Sequence, residues 1–378
     1  MVCIENADES VLLEGFTVTG GYAWLMGGAV GDYLSEYSGA GLRCRLSENA
    51  KIAKCSFKAN FAHSGGGISN YSSSDMSVIE CTFLGNAAGA DGGGMASGGR
   101  TIFEKCAFIR NQGAHGGGIS NAYAQITLNG CSFVENSARA GGGGLLVVGG
   151  ALAFNDCIFR GNSAQWGGAI RVYVDHNSVL ANCLFDKNLA EEKGGAIDCN
   201  ADKQLLIQNS TFVKNSSPTG TAISARRNLS INSAILWDGG QEINDTSSVG
   251  VAYSDVQGGW ADTGNIDADP LFADPDNGDY HLRSQGGRWD PISKTWVQDS
   301  VTSPCVDRGD PNKPIGLEPF PNGGRINIGY YGGTTEASKS YLGRPACEKI
   351  VGGDINGDCR VDFIDVAILA YHWLEGGE

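Results

Sequence analysis

An acidic twelve-residue segment near the end of the chain has the spacing of a calcium-binding loop. Side-chain oxygens stand at loop positions 1, 3, 5, 9 and 12, and a main-chain carbonyl is available at position 7. A calcium ion requires such a convergence of oxygen ligands, and the apolar residues 366–374 that follow are expected to form a helix. The predicted ligands are Asp354, Asn356, Asp358, Arg360 (through its carbonyl), Asp362 and Asp365.

A second set of charged residues lies in the middle of the chain, at positions that are expected to face solvent. Together they form either a catalytic surface or a solvated ion-pair face, and surface ion pairs usually contribute little. Glycoside hydrolysis by a pair of acids is kept as an alternative, because the separation of the carboxylates does not follow from the sequence. The five histidines show no metal-ligand spacing, so zinc chemistry is poorly supported. The candidates are Arg171, Asp198, Asp202, Lys203 and Arg226.

The elements that must position these residues follow from an internal repeat. Cysteine recurs in steps of 25 or 26 residues, and Ser210 continues the series. Each cysteine is followed by Phe two residues later, by Asn three residues after that, and then by a glycine-rich turn and an apolar residue. The repeated cysteines are Cys55, Cys81, Cys106, Cys131, Cys157 and Cys183, and the asparagines are Asn60, Asn86, Asn111, Asn136, Asn162, Asn188 and Asn215.

This repeat predicts a solenoid of stacked strands. Cys and Phe two residues apart lie on one face of a strand, and the apolar residue after the glycines opens a second strand. A single unit cannot bury its apolar face alone, so successive units must stack about 4.8 Å apart and align equivalent side chains. Asparagine at a fixed corner can hydrogen-bond along such a stack, and core packing explains the six repeated cysteines. A leucine-rich repeat is rejected, because its Leu-x-x-Leu-x-Leu spacing is absent.

The repeated Phe-x-x-Asn and Gly-Gly-Ala/Gly-Ile segments resemble the repeats of polymorphic outer-membrane proteins. The whole pattern, over residues 10–240, resembles right-handed parallel β-helix proteins of the pectate-lyase-like superfamily. The first resemblance implies surface display and adhesion, and the second implies polysaccharide binding or cleavage. By analogy with pectate-lyase-like enzymes, Asp198 and Asp202 would hold calcium against a uronate, and Lys203 or Arg226 would act as the base. Arg171 is expected to lie one coil from Asp198.

Three regions are expected on this basis. Residues 1–248 form an all-β, right-handed parallel β-helix with coils of about 25 residues. Residues 249–344, rich in Asp, Pro and Gly, form an irregular cap on its last coil, because exposed strand edges would otherwise promote aggregation. Residues 345–378 form a small element with a calcium loop and a helix, which resembles half of a type I dockerin and implies docking onto a cohesin-like protein. Whether Cys347 and Cys359 form a disulfide around this loop does not follow from the sequence, and the pairing is kept as an alternative.

Composition and charge limit the classes of partner. The net charge of −15 and the absence of Lys/Arg runs argue against nucleic acid. No apolar stretch approaches the length of a membrane span, and no export signal is recognisable in the sequence as given. We expect an extracellular or cell-surface scaffold that binds carbohydrate or another cell-surface polymer and carries Ca²⁺ in its tail. The alternative is an extracellular polysaccharide lyase or glycoside hydrolase that acts on the outward face of the β-helix.

Overall fold

The short strands and tight turns of each repeat wind the chain into a right-handed parallel β-helix, as the computed structural model shows. It describes residues 1–5, 11–23, 38–45, 49–70, 75–245, 249–341, 353 and 361–373. Neighbouring strands within each of the main sheets come from successive repeats and pair in parallel, so that one repeat makes one rung. The predicted all-β, right-handed parallel β-helix is therefore confirmed.

In the described residues, three sheets of ten strands each form the sides of the solenoid. Sheet 1 consists of Val2–Glu5, Leu42–Arg45, Ile68–Asn70, Met95–Ser97, Ile119–Ala122, Leu145–Val148, Ile170–Tyr173, Ile197–Cys199, Ile223–Ala225 and Ile243–Asp245. Sheet 2 consists of Leu12–Glu14, Ala50–Ala53, Met76–Ile79, Thr101–Glu104, Ile126–Asn129, Leu152–Asn155, Ser178–Ala181, Leu205–Gln208, Leu229–Asn232 and Val249–Ala252. Sheet 3 consists of Thr17–Thr19, Ser56–Lys58, Thr82–Leu84, Ala107–Ile109, Ser132–Val134, Ile158–Arg160, Leu184–Asp186, Thr211–Val213, Ile235–Trp237 and Asp255–Val256.

A smaller parallel sheet lies between sheets 3 and 1 in chain order. Sheet 4 consists of Tyr22–Ala23, Phe61–Ala62, Ala87–Ala88, Gln112–His115, Ser137–Gly141, Ser163–Trp166 and Leu189–Lys193. Two antiparallel pairs follow the solenoid, Phe272–Asp274 with Asp279–Leu282 and Arg288–Asp290 with Thr295–Val297. The helix Phe363–Trp373 follows in the tail, and no helix in the described part of the chain is long and apolar enough to cross a membrane.

The interior is filled by columns of identical side chains. The Phe residues of sheet 3 are fully buried and stack face to face, with ring centroids 4.4–5.1 Å apart. Phe133, for example, lies 4.7 Å from Phe108 and 4.8 Å from Phe159. The repeated cysteines are buried free thiols beside this column. These columns supply the apolar burial that a single rung cannot supply alone.

An asparagine column runs along one corner of the solenoid. Each amide nitrogen donates to the amide oxygen of the next asparagine at 2.9–3.0 Å, and all seven side chains are buried. The column ends where Asn215 donates to the carboxylate of Asp238 at 3.0 Å. Burial, and then the nearby Glu242, hold the pKa of Asp238 above its usual range. Each amide of this column therefore has a partner in the next rung, which fixes the register between rungs.

The glycines before sheet 1 are required where neighbouring rungs approach closely. A Cβ atom added at Gly117 would lie only 2.4 Å from the carbonyl oxygens of Ser137 and Gly143. A side chain there would collide with the next rung. The recurring Gly-Gly pairs therefore indicate positions where the backbones of neighbouring rungs are in contact.

The solenoid continues past residue 248, because Val249–Ala252 and Asp255–Val256 form its last rung. The loop that follows places Trp260 against the end of the apolar core. The chain then turns back, and residues 269–341, here called the flank segment, pack along the outer face of sheet 3. Phe272, Tyr280, Leu282, Val306 and Ile328 of this segment bury Leu184, Val213 and Ile235 of sheet 3.

Replacing Phe133 with Ala should lower the free energy of unfolding by about 3–5 kcal/mol, because it leaves a cavity in the middle of the aromatic column. Denaturant unfolding monitored by circular dichroism measures this change. Ile292→Ala is the control, since Ile292 is 90% exposed and its truncation should change stability by less than about 0.5 kcal/mol. Equal stability of the two variants would contradict the stacked core.

Candidate binding site at the corner of sheets 1 and 4

The register of sheet 1 places Arg171 and Asp198 side by side on adjacent rungs. Their neighbours Ile170, Val172 and Ile197 point into the core and are buried, so Arg171 and Asp198 lie on the outer surface of the sheet. The Nε atom of Arg171 lies 3.2 Å from Oδ2 of Asp198. An ion pair thus connects the two rungs.

Lys193 completes this group from sheet 4. It is the last residue of Leu189–Lys193, directly before the glycine turn, and its Nζ atom lies 3.0 Å from Oδ1 of Asp198. The sequence reasoning missed Lys193 because it considered only positions on sheet 1. The glycine turn brings the end of each sheet 4 strand beside the start of the next sheet 1 strand. The residue directly before each glycine turn could therefore have been predicted to lie near the outward residues of sheet 1.

Two aromatic rings hold the guanidinium group of Arg171. Its Cζ atom lies 4.4 Å from the ring centroid of Trp166 and 5.0 Å from that of Tyr173. These distances are typical of cation–π contacts. Gly141 leaves the space that this arrangement needs, since an added Cβ atom would lie 2.3 Å from Cδ of Arg171. We call the group the corner site, and it consists of Trp166, Arg171, Tyr173, Lys193 and Asp198.

Trp166 is itself fixed by the next rung. Its indole nitrogen donates to Glu192 at 2.6 Å, and the side-chain amide of Gln165 donates to the other oxygen of the same carboxylate at 2.7 Å. The indole ring is therefore held in one orientation, with part of its surface still open to solvent.

The charges of the corner site are largely withdrawn from water. The side chains of Arg171, Lys193 and Asp198 are 15%, 21% and 4% exposed. Burial of three charges costs free energy, and their mutual attraction only partly offsets it. The Nε atom of Arg171 and Oδ1 of Asp198 are buried and lack a well-directed hydrogen bond. Both atoms instead face an opposite charge within the ion pairs, so a polar ligand would contact the remaining nitrogens of Arg171 and the ammonium group of Lys193.

The other predicted residues lie beyond the ends of the strands Ile197–Cys199 and Ile223–Ala225, and none of them forms an ion pair with Asp198. Asp202 forms an exposed ion pair with Arg227 at 2.9 Å. Lys203 and Arg226 are exposed, and the backbone nitrogen of Arg226 donates to the carbonyl of Cys199 at 3.1 Å. Asp198 and Asp202 thus belong to separate ion pairs, and the structure does not place them together around one cation.

The predicted calcium loop lies mostly outside the described residues. Asp354, Asn356, Asp358 and Arg360 fall there, as do Cys347 and Cys359. Asp362 and Asp365 are described, and they cap the helix Phe363–Trp373. Oδ1 of Asp362 accepts a hydrogen bond from the nitrogen of Ile364 at 2.8 Å, and Oδ2 of Asp365 accepts one from the nitrogen of Asp362 at 2.9 Å. Among the described residues, no group of three or more His, Cys, Asp or Glu side chains is placed to hold a metal.

Comparison with protein families identifies two overlapping stretches. Residues 30–173 match a family described as right handed beta helix region, and residues 161–309 match a family described as disaggregatase related. The second stretch contains the whole corner site and the first part of the flank segment. No curated protein and no solved structure matches the chain.

Replacing Asp198 with Ala should destabilise the protein by about 3 kcal/mol, because Arg171 and Lys193 then remain largely buried without a counter-charge. Asp202→Ala is the matched control, since it breaks only an exposed pair and should cost less than about 1 kcal/mol. Denaturant unfolding of both variants at one pH gives the comparison. Equal losses would show that the corner site is an ordinary surface ion pair.

Proposed function

We propose that the chain is an extracellular or cell-surface β-helix scaffold that binds carbohydrate at the corner site. The observation that carries this proposal is the combination of two fixed aromatic rings with a largely buried cation pair around one carboxylate. Sugar rings present an apolar face that packs on aromatic rings, and their hydroxyl groups need both donors and acceptors.

The charges of the corner site suit a sugar that carries hydroxyl or carboxylate groups. Arg171 and Lys193 provide donors, whereas Asp198 and the exposed Glu192, which lies beside the corner site, provide acceptors. A guanidinium group has five N–H donors, more than Asp198 alone can engage. The match of residues 30–173 to a right-handed β-helix region agrees with an extracellular role, since long regular sheet faces suit the display of a binding surface.

The competing proposal is a polysaccharide lyase or glycoside hydrolase. The match of residues 161–309 to a family named for disaggregation favours it, because that stretch contains the corner site. A lyase would remove the proton from the carbon beside a uronate carboxylate and expel the glycosidic oxygen, leaving a carbon–carbon double bond. Lys193 and Arg171 lie closer to Asp198 than the bases suggested by the sequence, so they are the residues to test.

The binding proposal is tested by calorimetric titration with galacturonate oligomers and with neutral oligosaccharides. Lys193→Met and Arg171→Met should each weaken galacturonate binding by about tenfold or more, since each removes a charged donor. Arg100→Met is the control, because Arg100 is exposed and pairs with Asp75 on a distant rung. Unchanged affinity in both corner variants would exclude the corner site as the binding surface.

The same oligomers separate the scaffold from the lyase. Incubation of the wild-type protein with uronate polymers, with and without calcium, should produce no absorbance from unsaturated products. A calcium-dependent rise that disappears in Asp198→Ala would overturn the scaffold in favour of the enzyme. The Asp202→Ala variant controls for a general loss of acidic surface.

For the tail, we propose a single calcium site formed by Asp354, Asn356, Asp358, Arg360, Asp362 and Asp365, and docking of this element onto a cohesin-like protein. The support is the spacing of oxygen ligands in the sequence, together with a helix that begins directly after Asp362. In such a loop, the capping carboxylates Asp362 and Asp365 would also contribute ligand oxygens.

Calcium titration of the full chain followed by calorimetry should show one site, and Asp354→Ala or Asp358→Ala should abolish its heat, because each removes a ligand from the first half of the loop. Asp276→Ala is the control, since Asp276 is an exposed acid on the flank segment that pairs with Lys214. Heat that persists in both loop variants, or no heat in the wild type, would remove the proposed site.

A further inference from the structure

A groove of about 430 Å³ lies between the solenoid and the flank segment. Its solenoid wall comes from the turns that connect sheets 2 and 3, and its other wall comes from the flank segment. We call it the flank groove. Its lining includes Asn155, Asp156 and Asn182 of the solenoid and Tyr330, Tyr331 and Glu336 of the flank segment.

The floor of the groove is fixed to the solenoid by hydrogen bonds. The side-chain nitrogen of Asn182 donates to the carbonyl oxygens of Tyr330 at 2.9 Å and Gly332 at 2.8 Å. The backbone nitrogen of Tyr330 donates to the hydroxyl of Thr211 at 3.0 Å. The two tyrosines are therefore held in place before any ligand arrives, which lowers the entropic cost of binding.

Two half-buried aromatic rings lie in this groove. Tyr330 and Tyr331 meet edge to face with centroids 4.7 Å apart, and the ring of His281 stacks on Tyr331 at 3.6 Å. His281 is 1% exposed, and its Nε2 atom lies 3.4 Å from a carboxylate oxygen of Glu336. His281 thus supports both the ring and the acid from behind.

The polar groups of the flank groove are acceptors and neutral donors. Asp156 lies on the solenoid wall, where Asn155 donates to it at 2.8 Å, and Glu336 lies on the flank wall. The residues that line the groove include no Lys, Arg or His. The corner site, in contrast, holds Arg171 and Lys193.

We propose that the flank groove is a second carbohydrate site, which takes neutral or amino sugars and rejects acidic ones. The tyrosine rings offer apolar faces to a sugar ring, while the two carboxylates accept hydrogen bonds from its hydroxyl or ammonium groups. An acidic sugar meets two carboxylates, no lining cation and a chain of net charge −15. Together with the corner site, this groove gives one rigid molecule two sites of different charge preference.

The proposal is tested by calorimetric titration with tetramers of N-acetylglucosamine, glucosamine and galacturonate. The double variant Asp156→Asn, Glu336→Gln keeps the shape of the groove and removes both charges. It should weaken the better of the first two tetramers by about tenfold, or about 1.4 kcal/mol, since charge-assisted hydrogen bonds are about twice as strong as neutral ones. Lys193→Met, at the corner site, should leave that affinity unchanged.

Four results would overturn the proposal. The first is that neither the neutral nor the amino tetramer binds the wild-type protein, and the second is that they bind the double variant equally well. The third is that their affinity falls in Lys193→Met instead, and the fourth is that galacturonate binding is lost in the double variant. Failure of the corner-site proposal would give a different result. Galacturonate affinity would then be unchanged in Lys193→Met, while the neutral and amino tetramers would still bind and would still lose affinity in the double variant.

Discussion

Parallel hydrogen bonding between equivalent positions of successive rungs is the constraint on which the rest of the structure depends. Because each strand pairs with its counterpart one repeat away, any side chain recurs directly above its equivalent. The stacked phenylalanines provide the apolar burial, and the asparagine column fixes the register, since a slipped rung would leave a buried amide without its partner. The same register brings Arg171 beside Asp198 although they are distant in the chain.

The features of the fold that follow directly from the repeat could be predicted from the sequence. The period of Cys, Phe and Asn was enough to infer parallel stacking, the inward face of each strand and the outward positions of Arg171 and Asp198. Lys193 and Trp166 escaped prediction because the strands of sheet 4 are short and show register shifts, so no clear alternation marks their outward residues. The flank groove escaped as well, because residues 269–341 have no period and their position along sheet 3 depends on tertiary packing.

Ion pairs on this protein differ in how far they are removed from water, and this difference separates the candidate site from ordinary surface charge. The pairs Lys54–Glu14 and Arg227–Asp202 have side chains that are at least 45% exposed, and such pairs contribute little. The three charged side chains of the corner site are no more than 21% exposed, which is similar to Arg288 and its partners Asp279 and Asp299 on the flank segment. At the corner site, in addition, two aromatic rings contact the guanidinium group of Arg171. Burial of these charges is costly for a solenoid that already has a complete apolar core, and this cost supports the proposal of a ligand at the corner site.

Both proposed sites lie on a rigid framework, which determines how they would act together. The solenoid core is continuous from the early rungs to Val256, and the flank segment is fixed to it by side chains such as Asn182, Asn209 and Asn232. Neither site needs to fold on binding, so little binding energy is lost to ordering the protein. Because the corner site carries cations and the flank groove carries only acids, two polymers of different charge would occupy different surfaces rather than compete for one. With both proposed sites occupied, one rigid molecule would therefore connect two polymers of different charge.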